Sequence, residues 1–227
     1  MYFPTIIYSK GEIYMKIAII GATGKAGTEL FKEATGRDHE VTAVVRNAEK
    51  AADLLGSDAN TIVKDAFDLT RDDLQGFDVI VNAFATAPQT AYLHVDLAAK
   101  LVHLFRETTT TRLFFILGAG SLLDENDELF VETIRQDPNS SAFINVPEAQ
   151  LQELNFLRDV NDVKWVGVSP GAQLIEGEQT NYTSGIDHIL QNDNGESLTT
   201  YSTLAKAIID EVEAPKYHKQ RFTVINK

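Results

Sequence analysis

The sequence predicts an α/β protein of one domain, built around a doubly wound parallel sheet. Short apolar runs of four to seven residues alternate with segments of helical length, which is the pattern of repeated βαβ units. Three glycines follow the first of these runs directly, at the spacing G-x-x-G-x-x-G. The 227 residues contain no Pro-, Gly- or Ser-rich linker that would divide them into two domains.

The apolar runs are assigned to strands because they are short, rich in β-branched and aromatic residues, and bounded by polar or glycine-containing segments. Their continuous apolar character is typical of strands buried on both faces of a sheet. In chain order the predicted strands are 16–20, 41–45, 61–64, 78–84, 112–117, 163–169 and 221–225.

The segments between these strands have the periodicity of amphipathic helices. In the helix predicted over 91–108, leucines recur at nearly heptad spacing from Leu93 to Leu104. Pro147 lies in the first turn of the helix predicted over 147–159, where its missing N–H loses no hydrogen bond. Further helices are predicted over 28–36 and from about residue 202.

The alternation stops between the sixth strand and the helix that begins near residue 202. Segment 169–200 is polar and rich in turn residues, and a long irregular segment in a compact domain is usually functional or mobile. In an open parallel sheet it would lie over the carboxyl ends of the strands, where ligands bind. We therefore expect residues 169–200 to form a substrate loop that acts as a lid.

Composition argues against several classes of protein. A net charge of −13 provides no basic field for nucleic acid, and no apolar run is long enough to span a membrane, so a soluble protein is expected. The chain has no cysteine, which excludes disulfides and thiolate chemistry and makes the cytoplasm the expected location. The five histidines show no metal-ligand spacing, so no metal site is predicted. The acidic segment 124–132 is interpreted as a solvated loop or helix start.

The glycine loop offers local anion-binding geometry. Gly21 permits a tight turn after the strand, Gly24 lets the backbone approach a pyrophosphate, and Gly27 lets the helix pack against the sheet. Free N–H groups at the start of the helix would receive the phosphates, which indicates a Rossmann-like dinucleotide site. The residues expected to form it are Gly21, Ala22, Thr23, Gly24, Lys25, Ala26 and Gly27.

Basic residues near the end of the second strand favour NADP(H) over NAD(H). An acidic side chain at that point would bind the ribose 2′-hydroxyl, whereas an arginine accommodates a 2′-phosphate. This chain has Arg46 there, Lys50 one turn later and Lys25 inside the glycine loop. We expect these three cations to converge on the 2′-phosphate, and NAD(H) is the alternative cofactor.

The motif GATGKAG resembles that of the atypical short-chain dehydrogenase/reductases, whose relatives include the NmrA-like proteins and the NADH-flavin reductase and biliverdin reductase B group. The resemblance continues through VTAVVRNAEK, DAFDLT, DVIVNAFAT, GAGSL and SPGAQL, and it implies an NAD(P)-binding domain over 15–227. It also implies three groups of contacts. Asp65, Ala66 and Phe67 would lie beside the adenine, Asn82, Ala83 and Phe84 along the ribose and pyrophosphate, and Pro170, Gly171 and Ala172 at the nicotinamide.

The acid that carbonyl-reducing members of this superfamily use is missing. Those members rely on Tyr-x-x-x-Lys, because the alkoxide formed by hydride addition needs a proton, and the chain contains no such motif. Phe143 and Ile144 occupy the tyrosine region, and Gln152 lies where a lysine would be expected. Hydride transfer to a flavin or quinone is less demanding, since the charge spreads over a conjugated ring and solvent supplies the proton. Sugar-nucleotide epimerisation would also need the tyrosine and lysine that this chain lacks at that site.

Two functions follow from the resemblance. Ser121 matches the active-site serine region of the family, which implies contact with the acceptor or nicotinamide, although serine after a strand is also a common turn residue. The first function is an NADPH-preferring oxidoreductase that passes hydride to a small planar acceptor such as flavin or quinone. The alternative is an NmrA-like NADP(H) sensor that acts through a regulatory protein partner, and a homodimer is compatible with either.

Residues 1–14 are interpreted as a translated leader or a disordered extension, because Met15 stands directly before the first strand. They lack the basic and apolar regions of a secretory signal. If the codons for 10–12 read AAA-GGA-GAA, they would resemble a bacterial ribosome-binding site at a suitable distance from Met15. We expect mass spectrometry of the native protein to place its start at Met15, and an intact terminus at residue 1 would contradict this hypothesis.

Overall fold

The computed structural model describes residues 14–108 and 110–227, so residues 1–13 of the predicted leader 1–14 lie outside the described residues. Strands and helices alternate along most of this part of the chain. The strands are β1 (Lys16–Ile20), β2 (Glu40–Val45), β3 (Asn60–Val63), β4 (Val79–Asn82), β5 (Arg112–Ile116), β6 (Lys164–Pro170), β7 (Gln173–Ile175), β8 (Tyr182–Gly185), β9 (Leu198–Thr200) and β10 (Gln220–Asn226). The α-helices are α1 (Lys25–Gly36), α2 (Ala48–Leu55), α3 (Arg71–Leu74), α4 (Leu93–Phe105), α5 (Phe130–Gln136), α6 (Asn145–Arg158) and α7 (Tyr201–Glu213).

The central sheet has eight strands in the order β3-β2-β1-β4-β5-β6-β10-β8. Neighbouring strands from β3 to β10 are parallel, and β8 is antiparallel to β10 at the edge. The chain crosses from β3 over β2 and β1 to β4, so the order reverses beside β1 and opens a crevice at the carboxyl ends of the strands. The predicted doubly wound, Rossmann-like sheet is confirmed.

The sheet is buried on both faces by helices, which explains the continuous apolar runs of its strands. Along β1, Ile17 and Ile19 join the apolar layer that contains α1 and α7, while Ala18 and Ile20 join the layer that contains α4 and α6. All four are at most 1% exposed. Because successive side chains of a strand point to opposite faces, one apolar run supplies both cores. The carboxyl edge of the sheet is left free for a site.

The predicted strands agree with the observed ones within about two residues, and Pro147 lies in the first turn of α6 as expected. The acidic segment 124–132 is a loop that leads into α5, which confirms its interpretation. Sequence reasoning missed α2. Its signal was available, since Asn47 caps the helix by accepting a hydrogen bond from the Lys50 N–H at 2.9 Å.

Segment 169–200 is less irregular than expected, although most of its residues lie outside strands. Its beginning and end form β7 and β9, which pair in parallel, and its middle forms β8 at the edge of the main sheet. Residues 187–189 pair with Leu123 through backbone hydrogen bonds of 2.7 and 2.8 Å. The turn residues that suggested a loop lie in the connections 176–181 and 186–197, and the short strands between them satisfy part of the backbone hydrogen bonding.

No helix in the described ranges combines the length and apolar character needed to cross a membrane.

Candidate functional site

The crevice beside β1 contains a cavity of about 180 Å³ at the carboxyl ends of β1 to β4. Several residues predicted to hold a dinucleotide line it together, although they come from four separate strand ends. They are Gly21, Thr23, Gly24, Arg46, Lys50, Asp65, Ala66, Ala83 and Phe84.

Four of the predicted residues outside that lining support it from behind. Ala22 and Gly27 are buried beneath the loop. Phe67 packs edge-on against Phe84 with ring centroids 6.0 Å apart, and the buried Asn82 side chain accepts a hydrogen bond from the Phe84 N–H at 3.2 Å. The position of Phe84 is therefore held from two sides.

The glycine loop lets α1 begin in contact with the backbone that leaves β1. A Cβ atom on Gly27 would lie 2.2 Å from the Gly21 carbonyl oxygen, so only glycine permits this approach. Gly24 is the N-cap of α1, and no side chain caps the helix there. The first turn contains no acidic residue and presents backbone N–H groups to the cavity end of the helix, which is the arrangement that binds anions.

Two of the three predicted cations meet at the cavity. Arg46 and Lys50 line it, and among the described residues neither side chain forms an ion pair. Lys64 also lines it, but both carboxylate oxygens of Asp73 lie 2.7 Å from its ammonium group.

The predicted convergence was wrong for Lys25. Its ammonium lies 2.9 Å from the Glu176 carboxylate, beside the second part of the crevice. This contact raises the pKa of Lys25 and lowers the pKa of Glu176, although both side chains are exposed. Lys25 is the first residue of α1, and it does not line the cavity that Arg46 and Lys50 share.

A second, largely apolar cavity of about 430 Å³ continues the crevice past β4 to the ends of β5 and β6. It shares Gly24, Ala83, Phe84 and Ala85 with the first cavity, so the two form one groove around Phe84. Other lining residues are Lys25, Ala26, Ile116, Leu117, Gly118, Ala119, Gly120, Ile134, Phe143, Pro147, Gln150, Pro170, Gly171, Ala172, Leu174 and Tyr201.

The lining of the second cavity shows which part of the expected lid, segment 169–200, lies beside it. Pro170, Gly171 and Ala172 border this cavity, and Leu174 is the last residue of segment 169–200 in its lining. Residues 182–185 of the segment extend the edge of the main sheet as β8. A covering function for 169–200 stays a prediction.

Sequence reasoning missed two polar residues of this cavity. Tyr201 directly follows β9, and a position at the carboxyl end of a strand was the signal that could have found it. Gln150 lies on α6 one turn after Pro147 and lines the cavity, whereas Gln152, the residue noted from the sequence, is exposed.

Ser121 is 3% exposed, and its hydroxyl contacts protein groups. It donates to the Gly118 carbonyl at 3.3 Å and accepts from Arg221 Nη1 at 3.2 Å. The cavity is lined by its neighbours Gly118, Ala119 and Gly120. This packing favours a structural function for Ser121, and the catalytic function implied by the resemblance stays a prediction.

Arg221 of β10 is a buried cation that joins three strand ends. Besides Ser121 it donates to Ser169 Oγ at 3.2 Å and to Asp187 Oδ1 at 2.5 Å, and Ser169 in turn donates to the Gly118 carbonyl at 2.9 Å. Burial lowers the pKa of Arg221, while Asp187 favours its charged form. A buried charge is tolerated only with such partners, so this network holds the loop after β5 in place.

A second buried pair lies behind Phe84, where α4 packs on α6. The His94 ring meets Phe84 edge-on with centroids 5.6 Å apart, and His94 Nδ1 is 3.7 Å from Glu153 Oε2, which is too far for a hydrogen bond. Burial raises the pKa of Glu153 well above its usual value and lowers the pKa of His94. Burial therefore favours the uncharged form of both groups.

Residues 14–108 and 110–227 contain no group of three or more His, Asp or Glu side chains placed to hold a metal ion.

Comparisons with known proteins support the fold and NAD(P)H binding. The family described as NAD(P)H-binding matches residues 21–215. The chain is 38% identical over 216 residues to the "uncharacterized protein YwnB" of Bacillus subtilis, which covers 94% of this chain and 99% of that protein.

Two crystal structures are also similar along nearly their whole length. A protein from Lactobacillus casei has a TM-score of 0.86 and 37% identity, covering 93% of this chain and 99% of that one. A "putative NADH-flavin reductase" from Streptococcus pneumoniae has a TM-score of 0.85 and 37% identity, covering 94% of this chain and 100% of that one.

The buried carboxyl of Glu153 predicts a pH-dependent effect on stability. Its pKa is raised in the folded state, so folding penalises its ionisation as pH rises above the ordinary value of 4.5. Glu153→Gln should therefore raise the free energy of unfolding at pH 8, by about 1–3 kcal/mol, and change it much less at pH 4. Urea denaturation at pH 4, 6 and 8 measures this.

Glu148→Gln is the control for the Glu153 variant, because it removes the same charge from the partly exposed face of α6, where Glu148 binds Arg135 at 2.6 Å. Its effect should stay below about 1 kcal/mol. An effect of Glu153→Gln that is the same at every pH would contradict the assignment.

Proposed function

Because the chain belongs to the NAD(P)H-binding family, we propose that it is a reductase that prefers NADPH and passes hydride to a small planar acceptor such as a flavin or quinone. Its expected location is the cytoplasm.

One observation carries the proposal: the cavity at the ends of β1 to β4 adjoins a largely apolar cavity, and the two share Gly24, Ala83, Phe84 and Ala85 in their linings. The glycine loop lies between the two halves, and Gly24 lines both. A cofactor with its phosphates at the start of α1 would extend one end toward Arg46 and the other toward Pro170. The space beyond is large enough for a ring system and has mainly apolar walls.

Each part of the groove has a distinct function in this proposal. When bound, the cofactor supplies the hydride. The backbone N–H groups at the start of α1 hold its pyrophosphate, and Pro170 to Ala172 border its reactive ring. The side chains of Phe84 and Phe143 restrict water around the acceptor and keep its ring flat against the cofactor. The chain lacks the tyrosine-lysine acid, so the proton comes from solvent through the open mouth of the cavity.

Preference for NADPH is assigned to Arg46 and Lys50. A guanidinium and an ammonium at the end of β2 fit a 2′-phosphate, and neither has a carboxylate partner in the described part of the chain. An acidic residue, which would favour the 2′-hydroxyl of NADH, is absent from Arg46 to Ala48. The apolar cavity also favours an enzyme over a sensor, because cofactor sensing alone does not require a second binding space.

The proposal is tested by NADPH oxidation in the steady state with FMN, FAD and a set of quinones, alongside direct binding of NADPH and NADP. We expect saturable turnover with at least one acceptor. Tight cofactor binding without any turnover would favour the sensor.

The same assay tests the predicted function of Ser121. Ser169→Ala is the control, because both hydroxyls bind Arg221 at 3.2 Å. A loss of turnover in Ser121→Ala that clearly exceeds the loss in Ser169→Ala would support contact between Ser121 and the acceptor.

Arg46→Ala should raise the Kd for NADPH about 10- to 100-fold and leave the Kd for NADH nearly unchanged, because a charge-assisted hydrogen bond to phosphate contributes about 1.5–3 kcal/mol. Lys25→Ala is the contrasting variant. Lys25 is paired with Glu176 and does not line the cavity that Arg46 and Lys50 share, so its loss should change both affinities by the same factor. Titration of cofactor fluorescence at fixed ionic strength measures these constants. Equal losses for both cofactors in Arg46→Ala would refute the 2′-phosphate contact.

A further inference from the structure

The apolar cavity contains three side chains with a terminal polar group: Lys25, Gln150 and Tyr201. Lys25 is bound to Glu176, and Tyr201 lines an adjoining recess together with both of them. Within the described residues, the Gln150 amide has no hydrogen-bond partner. A primary amide without a partner in an apolar recess is a group that a ligand can complete.

The amide of Gln150 is placed by close packing of α6 on the loop after β5. A Cβ atom on Gly118 would lie 2.2 Å from Gln150 Oε1, so the amide occupies the space that any other residue at 118 would fill. Pro147, three residues earlier on the same face of α6, packs in the same way against Gly120. The amide is therefore held over the floor of the cavity.

The floor of the cavity is the loop after β5, and contacts within the protein hold this loop in place. The Gly118 carbonyl accepts hydrogen bonds from Ser169 at 2.9 Å and from Ser121 at 3.3 Å, and both serines bind the buried Arg221. A polar group on a helix, set against a braced loop, is preorganised and loses little entropy when it binds a ligand.

On the basis of the proposed function, we infer that Gln150 orients the acceptor by hydrogen-bonding a carbonyl at the edge of its ring. The acceptor class is then a planar conjugated ring system with an edge carbonyl, which describes both a quinone and the isoalloxazine of a flavin. The apolar lining excludes water around the ring, and the single free amide sets the rotation of the ring in its plane.

The chemistry suits a neutral amide. The C–H bond of the reduced nicotinamide breaks, its two electrons and the hydrogen pass to the acceptor, and NADP is released in its oxidised form. Negative charge then accumulates on the edge carbonyl, where the amide N–H donates its hydrogen bond, and water supplies the proton that completes reduction. Gln150 stabilises this charge without itself losing a proton.

A flavin and a quinone differ in the hydrogen-bonding groups that the edge of the ring presents to the amide. The pyrimidine edge of an isoalloxazine alternates carbonyl groups with an N–H, so it can both accept from and donate to one primary amide. A quinone edge offers carbonyl acceptors alone. The amide therefore matches a flavin with two hydrogen bonds and a quinone with one.

Gln150→Met tests the inference, because it keeps the length of the side chain and removes the amide. Gln152→Met is the matched control on the exposed side of the same helix. With NADPH saturating, we expect Gln150→Met to lower kcat/KM for the acceptor about 10-fold and to leave the Kd for NADPH unchanged, while Gln152→Met behaves as the wild type. Thermal unfolding of both variants controls for folding.

A loss with FMN alone assigns the flavin edge, a loss with a quinone alone assigns the quinone, and a loss with both assigns the shared carbonyl. Equal kcat/KM values for Gln150→Met and Gln152→Met overturn the inference. Quenching of FMN fluorescence by the NADP-loaded protein gives a readout that does not need turnover. If the wild type oxidises no NADPH, the proposed function fails, and weaker FMN binding by Gln150→Met alone would still identify the contact, whereas equal binding would overturn it.

Discussion

The fold and the site both depend on the close approach of α1 to the backbone that leaves β1. This approach is possible because residue 27 has no Cβ, which would otherwise lie 2.2 Å from the Gly21 carbonyl oxygen. It brings α1 onto the sheet, where its buried face packs against α7. The same contact leaves the uncapped start of α1 at the switch point of the sheet. One steric constraint thus places both an apolar core and a set of anion-binding N–H groups.

The electrostatics of the groove are local. The chain has a net charge of −13, and its lysines near the groove are partly neutralised, with Lys64 bound to Asp73 and Lys25 bound to Glu176. Arg46 and Lys50 are the cations of the first cavity without such a partner in the described residues. An anion is therefore attracted to one end of the groove, because distant charges are screened while adjacent ones are not.

The far end of the groove is built by a second close approach, that of α6 to the loop after β5. Gly118 provides the space, and Arg221 holds the loop from the other side through Ser121 and Ser169. A buried arginine costs desolvation energy and is a weak source of stability in itself. Its contribution here is geometric, since it ties the start of β10 to Ser121 after β5, to Ser169 near the end of β6 and to Asp187 after β8.

The sequence by itself determined the parallel sheet, the glycine loop and the position of Arg46, because each is encoded in residues that are neighbours in the chain. Apolar runs indicate buried strands, and a glycine motif between a strand and a helix indicates a phosphate loop. Only the tertiary structure decided that Lys25 binds Glu176, that Ser121 faces Arg221 one hundred residues away, and that Gln150 rather than Gln152 lines the cavity. The tertiary structure also decided the strands of segment 169–200, since β8 is defined by its hydrogen bonds to β10. The physical reason is that side-chain partners and strand neighbours are selected by packing between distant segments. The periodicity of one segment does not indicate which distant segment it will contact.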